Sequence, residues 1–369
     1  MADEPIDHFC AIIPAGGVGS RLWPLSRADH PKFLHDLSGN GQTLLRNTWD
    51  RIEPLAGENI LVVTGQAHVS SVVSQLPRLS HSDLISEPSP KDSAAAIGLA
   101  VAIIDARDPD AIVGSFAADH VISDSDVFRT AVKEAINVAA EGKLVTIGIR
   151  PSEPSSAFGY IEVGEPASIP GAVTARAAKR FVEKPDYDIA TGYVESGDYL
   201  WNAGIFIAQA RTIMQMLDAQ RPTLAAGLRE IARAWDGPDR YEVMARVWPE
   251  LEKVAIDYAI AEPAAEAGEM VVVPGEFGWD DVGDFAALAR MHARGPNDLA
   301  VLGENTMVLS DSSSGIVVSQ SKRLVSLIGV EDIVIVDTPD ALLVTTKQNA
   351  QRVKSVVDIL KINNQGDIL

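Results

Sequence analysis

The chain has 369 residues, with 51 acidic and 31 basic side chains and a formal net charge of -20. That balance argues against nucleic acid or an anionic membrane as a partner, and the length suits one large domain plus a smaller one. Hydrophobic residues make up 46% of the chain, enough for a substantial core, and a single cysteine excludes an internal disulfide.

Met1-Ala2-Asp3-Glu4-Pro5 lacks the basic and apolar regions of a signal peptide. The longest apolar run, Ala94 to Ile104, is too short to span a bilayer. A soluble, cytoplasmic protein is the expectation. Phe9-Cys10-Ala11-Ile12-Ile13 has the pattern of a short buried strand, with Cys10 as a core residue. It feeds Pro14-Ala15-Gly16-Gly17-Val18-Gly19-Ser20-Arg21-Leu22-Trp23-Pro24-Leu25-Ser26-Arg27, followed by Pro31-Lys32. Glycines let backbone N–H groups approach a ligand closely and take up positive φ. Successive N–H groups in such a turn form an anion-binding nest, and Arg21, Arg27 and Lys32 bring cations to it. The stretch therefore predicts a polyphosphate cradle at the carboxyl end of the first strand. A Walker loop does not fit, because Arg21-Leu22 stands where Lys-Ser/Thr is needed. The dinucleotide fingerprint does not fit either, because Leu22 replaces its third glycine.

Further strands are predicted at Ile60–Thr64, Asp83–Ser86, Ala111–Phe116 and Leu144–Ile149, with helices at Thr43–Ile52, Ala67–Gln75, Ser93–Asp105 and Asp126–Glu141. This alternation predicts an α/β fold: a Rossmann-like, mainly parallel mixed sheet flanked by helices. Ligands of such sheets sit beyond the carboxyl ends of the strands. After the third strand, Ser86-Glu87-Pro88-Ser89-Pro90-Lys91-Asp92-Ser93 leads into an Ala-rich helix that Asp92 or Ser93 would cap. Ala117-Ala118-Asp119-His120 follows the fourth strand. A carboxylate there suits a hard cation such as Mg²⁺, against the plain alternative of a polar turn. From Phe158 to Val182 the pattern becomes extended, which predicts antiparallel additions. Trp201-Asn202-Ala203-Gly204-Ile205-Phe206 and Phe277-Gly278-Trp279-Asp280-Asp281-Val282-Gly283-Asp284 complete the polar motifs, the latter after the apolar run Met270–Val273. Gly295-Pro296-Asn297-Asp298 marks a boundary. Beyond it, Thr306–Leu309, Gly315–Ser319, Leu324–Ile328, Ile333–Asp337 and Ala341–Thr346 are short β runs, and Asn349 to Ile362 reads as an amphipathic helix.

Taken in order, these motifs resemble those of the nucleotide-sugar pyrophosphorylases. The Leu22–Arg27 wording is most similar to the mannose-1-phosphate guanylyltransferase branch. The resemblance runs from about Phe9 to Phe285. It implies transfer from GTP to α-D-mannose 1-phosphate, giving GDP-mannose and pyrophosphate. Another sugar 1-phosphate, such as a manno-heptose phosphate, or a non-catalytic nucleotide-sugar sensor stand as alternatives. It implies catalytic roles for Arg21, Lys32 and Lys184, and nucleotide binding by Ala15, Gly16, Gly17, Gly19, Ser20, Arg21, Glu87, Pro88 and Asp119. Gly159, Tyr160, Glu183, Lys184, Asn202 and Gly204 would take the sugar phosphate. Asp119 and Asp281 would hold Mg²⁺, with Asp280 the rival for the second place and His120 structural. The chain departs from the family wording at Lys91-Asp92-Ser93, where Arg, Asn and Thr are usual, at Ala117, where proline is usual, and after Lys32, where a glutamine is missing. The resemblance also implies a catalytic domain over 1–297 and a small β-helix-like domain over 298–369, assigned to structure and association in a homodimer.

Overall fold

The computed structural model describes residues 4–295, 297–303, 306–363 and 365–369. Pro296, in the expected boundary turn, and Met1–Asp3 lie outside the described residues. The chain divides into two compact units. One comprises residues 1–16, 47–118 and 122–279, the other residues 17–46, 119–121 and 280–369.

In chain order the strands of the first part are β1 (Phe9–Ala15), β2 (Ile60–Gly65), β3 (Leu84–Glu87), β4 (Ile112–Ser115) and β5 (Val121–Ile122). They continue with β6 (Leu144–Ile149), β7 (Tyr160–Pro166), β8 (Arg176–Val182), β9 (Tyr199–Gln209), β10 (Met270–Gly275) and β11 (Trp279–Asp280). The first unit is built on a nine-stranded mixed sheet of order β3-β2-β1-β4-β9-β6-β10-β8-β7. β1 is parallel to both β2 and β4. β9 enters antiparallel to β4 and β6, and β10 is parallel to β6. The carboxyl ends of β1, β4 and β10 therefore point the same way. As predicted, β7 and β8 are antiparallel additions. The central strands are apolar because both faces are covered; all six residues of β6 are buried. The helix Ser93–Arg107 is apolar all round for the same reason: Ala94–Ile104 are buried throughout. It packs against the helices Ala210–Gln220 and Pro222–Ala234, two elements that the motif-led sequence reading did not assign.

The second unit carries β12 (Leu299–Leu302), β13 (Met307–Asp311), β14 (Gly315–Ser319), β15 (Leu324–Ile328), β16 (Ile333–Asp337) and β17 (Leu342–Thr346). β12, β14 and β16 pair in parallel in one sheet, with β17 antiparallel at its edge, and β13 pairs in parallel with β15 in a second. From β12 to β16 successive strands thus alternate between two sheets, which is the coil of a β-helix. A 3₁₀ segment, Lys347–Arg352, leads into the final helix Val353–Ile362. The unit's core joins distant parts of the chain. Leu22, Trp23, Leu25 and Leu37 bury with Phe285, Leu288, Ile316, Val334, Val336, Val357 and Leu360. Leu22, Trp23 and Leu25 of the glycine-rich stretch are therefore core residues of the unit that contains the β-helix.

Candidate functional site

The cradle begins where β1 ends. In the first unit, Thr64 Oγ1 donates to the Ala15 carbonyl at 2.7 Å. A Cβ on Gly16 would stand 3.8 Å from Glu87 Oε2, so the expected nucleobase-side carboxyl lies at the root of the loop. Burial, and then the neighbouring Asp92, push the Glu87 carboxyl up to about 7. Pro88 beside it is exposed. Gly17, Gly19, Ser20 and Arg21 belong to the second unit. Gly19 has φ +72°, and a Cβ there would come within 2.7 Å of Lys32 Cβ. Only glycine lets the loop close over that lysine. The closure is held by Lys32 N–H to the Val18 carbonyl at 3.3 Å and by the Ser26 hydroxyl donating to the same carbonyl.

Lys32 is the centre of this unit's polar site. Its ammonium donates to Asp119 Oδ2 at 2.9 Å, to Asp281 Oδ1 at 3.2 Å and to the Asp281 carbonyl. Burial disfavours the charge, but Asp119 and Asp281 outweigh it and raise the lysine's pKa. Burial likewise opposes the Asp119 charge, and Lys32 with His120 more than offsets it, holding this carboxyl below the usual range. Ligand atoms of Asp119, His120 and Asp281 all lie within 4.8 Å of one another, a group that could hold a metal ion. Asp280 is otherwise engaged: its Oδ1 accepts the Val282 N–H at 2.6 Å, and burial raises its pKa. Arg21 lies beside the same loop, its Nη2 3.6 Å from where a Gly283 Cβ would stand and Asp281 Oδ2 3.5 Å from that point.

The sugar-side residues cluster in the first unit. A β-bulge between β6 and β9 is turned by Gly204 at φ +67°. It lets the Gly204 N–H donate to Asn202 Oδ1 at 3.1 Å, which Thr146 Oγ1 also reaches at 2.7 Å. Asn202 Nδ2 donates to Asp257 Oδ1 at 3.1 Å. The amide oxygen thus has two donors already, and one amide N–H remains for a ligand. A Cβ on Gly159 would meet Glu183 Oε2 at 2.5 Å and Phe181 Cζ at 3.1 Å, so a side chain there would displace the Glu183 carboxylate. Lys184, at φ +48°, pairs with Glu183 Oε1 at 2.5 Å. Burial opposes its charge, and Glu183 raises its pKa. Tyr160 is fully buried, and its hydroxyl accepts the Ser155 N–H at 3.0 Å.

The departures at Lys91-Asp92-Ser93 have structural partners. Lys91 Nζ donates to the Leu251 carbonyl at 2.9 Å and to that of Pro249. Asp92 caps the helix through the Ser93 N–H at 2.8 Å, and Ser93 Oγ accepts the Ile256 N–H at 2.9 Å. These bonds tie the loop to the segment that carries Asp257, the site residue the sequence reading missed. Asp257 opens a π-helical turn, Asp257–Ala261. Burial, and then Glu183, push its carboxyl up to about 7. Its one sequence signal is a carboxylate inside the apolar run Val254–Ala261.

Residues 10–296 match the nucleotidyl transferase family, and residues 305–360 match the MannoseP isomerase/GMP-like beta-helix domain. A mannose-1-phosphate guanylyltransferase of Salmonella muenchen is 36% identical over 361 residues, covering 96% of this chain and 74% of the relative. A protein of the same name from Escherichia coli K12 is 35% identical over 362 residues, with the same coverage. Among solved structures, a Thermus thermophilus protein described as a mannose-1-phosphate geranyltransferase superposes with a TM-score of 0.83 at 32% identity, covering 96% of this chain and 99% of that one. The chain belongs to the mannose-1-phosphate guanylyltransferase branch of the nucleotidyl transferase family, and it is a nucleotidyltransferase.

Proposed function

We propose that the protein transfers a guanylyl group from GTP to α-D-mannose 1-phosphate, releasing GDP-mannose and pyrophosphate, with Mg²⁺ as its cation. The observation that carries this reading is the Lys32 ammonium lodged between Asp119 and Asp281 directly after a glycine-rich loop. The names of the relatives supply the substrate pair. Asp119 and Asp281 would hold Mg²⁺, and the donor set fits: carboxylate oxygens are the hard donors Mg²⁺ takes, and a cationic group already stands between them. When bound, the ion would neutralise phosphate charge as a Lewis acid.

A sugar 1-phosphate is mostly a dianion near pH 7, its second pKa being about 6, so attack needs no general base. The residues then have to position the reactants and balance charge. N–H groups from Ala15 to Ser20 would cradle the triphosphate, with Glu87 and Pro88 as the base wall. Arg21 would neutralise the departing pyrophosphate. Lys32 would hold the α-phosphate, and Lys184 the sugar phosphate. Glu183 and the remaining Asn202 N–H would bind sugar hydroxyls, in a subsite shaped by Gly159, Tyr160 and Gly204. The motifs with these roles fall within residues 1–297. Residues 298–369 would add the β-helix and support a homodimer, a reading favoured by exposed Met307, Leu309, Leu324 and Ile328. Among the described residues no helix is long and apolar enough to cross a membrane, and we read the enzyme as cytoplasmic.

Pyrophosphate release over a grid of nucleoside triphosphates and sugar 1-phosphates tests the proposal. GTP with mannose 1-phosphate should give the highest turnover. If UTP or dTTP with glucose 1-phosphate wins, or a manno-heptose phosphate does, the substrate assignment is wrong. No turnover in any cell of the grid would leave the sensor reading.

A further inference from the structure

We propose that Gln351 is a positioning residue that aims the Arg21 guanidinium, which makes the C-terminal segment part of the catalytic apparatus. The proposal rests on the reading of Arg21 as the pyrophosphate cation. Gln351 lies 330 residues from Arg21 in the chain, yet its Oε1 accepts Arg21 Nη1–H at 3.0 Å. Its Nε2 donates to Asp284 Oδ2. Asp284 is 7% exposed, and its other oxygen, Oδ1, accepts the N–H groups of Ala286 at 2.8 Å and Ala287 at 2.9 Å, capping the helix Phe285–His292.

The direction of this relay follows from donor and acceptor types. A carboxylate oxygen accepts and an arginine donates. A glutamine between them has to turn its NH₂ to Asp284 and its oxygen to Arg21. Both ends of the relay are anchored. Ala350 and Val353, flanking Gln351 and Arg352, are buried in the same core as Leu22, the residue after Arg21. Asp284 is fixed by its helix and lies three residues from Asp281, one of the two carboxylates on Lys32. A direct Arg21–Asp284 pair would neutralise the guanidinium, whereas a neutral amide orients it and leaves its charge for an anionic ligand. Gln351 is thus placed to hold the arginine and the acidic loop in one fixed geometry.

A double-mutant cycle on the full chain tests this. Gln351→Met keeps the side chain's length and removes the relay. It should lower kcat by about 10- to 100-fold, the usual loss when a catalytic group is slightly misplaced. KM for mannose 1-phosphate should change less than 2-fold, and inhibition by added pyrophosphate should weaken. In the Arg21→Ala background the same substitution should lower kcat no further, because its target is gone. Thermal unfolding checks that each protein is folded, and Gln351→Asn, too short to span, replaces the methionine variant if that one does not fold. Normal kcat in the folded Gln351 variant overturns the relay, as does a loss that multiplies with that of Arg21→Ala. Full turnover of Arg21→Ala alone would instead overturn the role of Arg21.

Discussion

Lys32 has 4% of its side chain exposed and sits between carboxylates that are each 28% exposed. A buried ammonium is stable only while its partners are in place. Lys32→Ala should therefore leave Asp119 and Asp281 facing each other without a cation. Breaking a buried pair costs about 3–5 kcal/mol, and the partial exposure of both carboxylates lowers that figure. Thermal unfolding in EDTA should show the deficit. Millimolar Mg²⁺ should restore part of it in the variant, because an ion that binds the folded state stabilises it by mass action. An identical deficit with EDTA and with Mg²⁺ would remove the Asp119–Asp281 pair from ion binding. Lys32 and Asp119 stood out in the sequence as charges following a glycine turn and an apolar strand, and Asp281 through the resemblance alone; the structure brings the three side chains together. Asp257 and Gln351 did not stand out. One sits in a run that reads as core, and the other is an uncharged amide on a surface-patterned helix start. Both acquire meaning only from partners 55 and 330 residues away.

At the scale of elements, the glycine-rich stretch and the last helix stabilise each other. Leu22, Trp23 and Leu25 share a core with Val353, Val357 and Leu360. The Trp23 indole also donates to the Ile368 carbonyl at 2.7 Å, and Arg27 pairs with Asp340 at 2.8 Å. A loop so short of its own apolar neighbours cannot hold a fixed shape alone. Leu360→Ala, in the final helix, should cost about 2–5 kcal/mol, as large-to-small core changes do. It should also speed proteolytic cleavage between Gly17 and Pro31. A Leu360→Ala protein that loses stability while the loop stays as protected as in the parent would show the two elements to be independent. Five of the six C-terminal strands match the predicted runs to within two residues, because short alternating segments between turns carry their own signal. β12 was missed because it is only four residues long, directly after a turn.

At the scale of the molecule, Met307, Leu309, Leu324 and Ile328 are 55–78% exposed on the paired strands β13 and β15. Ser326 and Asp311 stand opposite Leu309 and Ile328 in this pair, so the exposed face is mixed apolar and polar. Exposed apolar side chains grouped in this way suit an interface, and the homodimer proposal would seat a second copy on it. Light scattering on a Leu309→Glu, Ile328→Glu double variant should give half the mass of the parent, with turnover per chain within about 2-fold. A parent that is already monomeric, or a variant that keeps the parent's mass, would exclude this face as the interface.

The sequence by itself determined the alternation of strands and helices, the glycine turn with its cations, and the order of the polar motifs, since each rests on residues within a few positions of one another. Only the tertiary structure decided what those residues meet. β9 runs antiparallel through the middle of an otherwise largely parallel sheet, and pairing partners are not encoded in a strand's own pattern. Asp281 rather than Asp280 faces Lys32 because the Val282 N–H claims the other carboxyl. The later part of the glycine-rich stretch joins the core that contains the β-helix because Leu22, Trp23 and Leu25 find cover there. Burial is a property of the whole packed unit, and no local stretch of chain contains it.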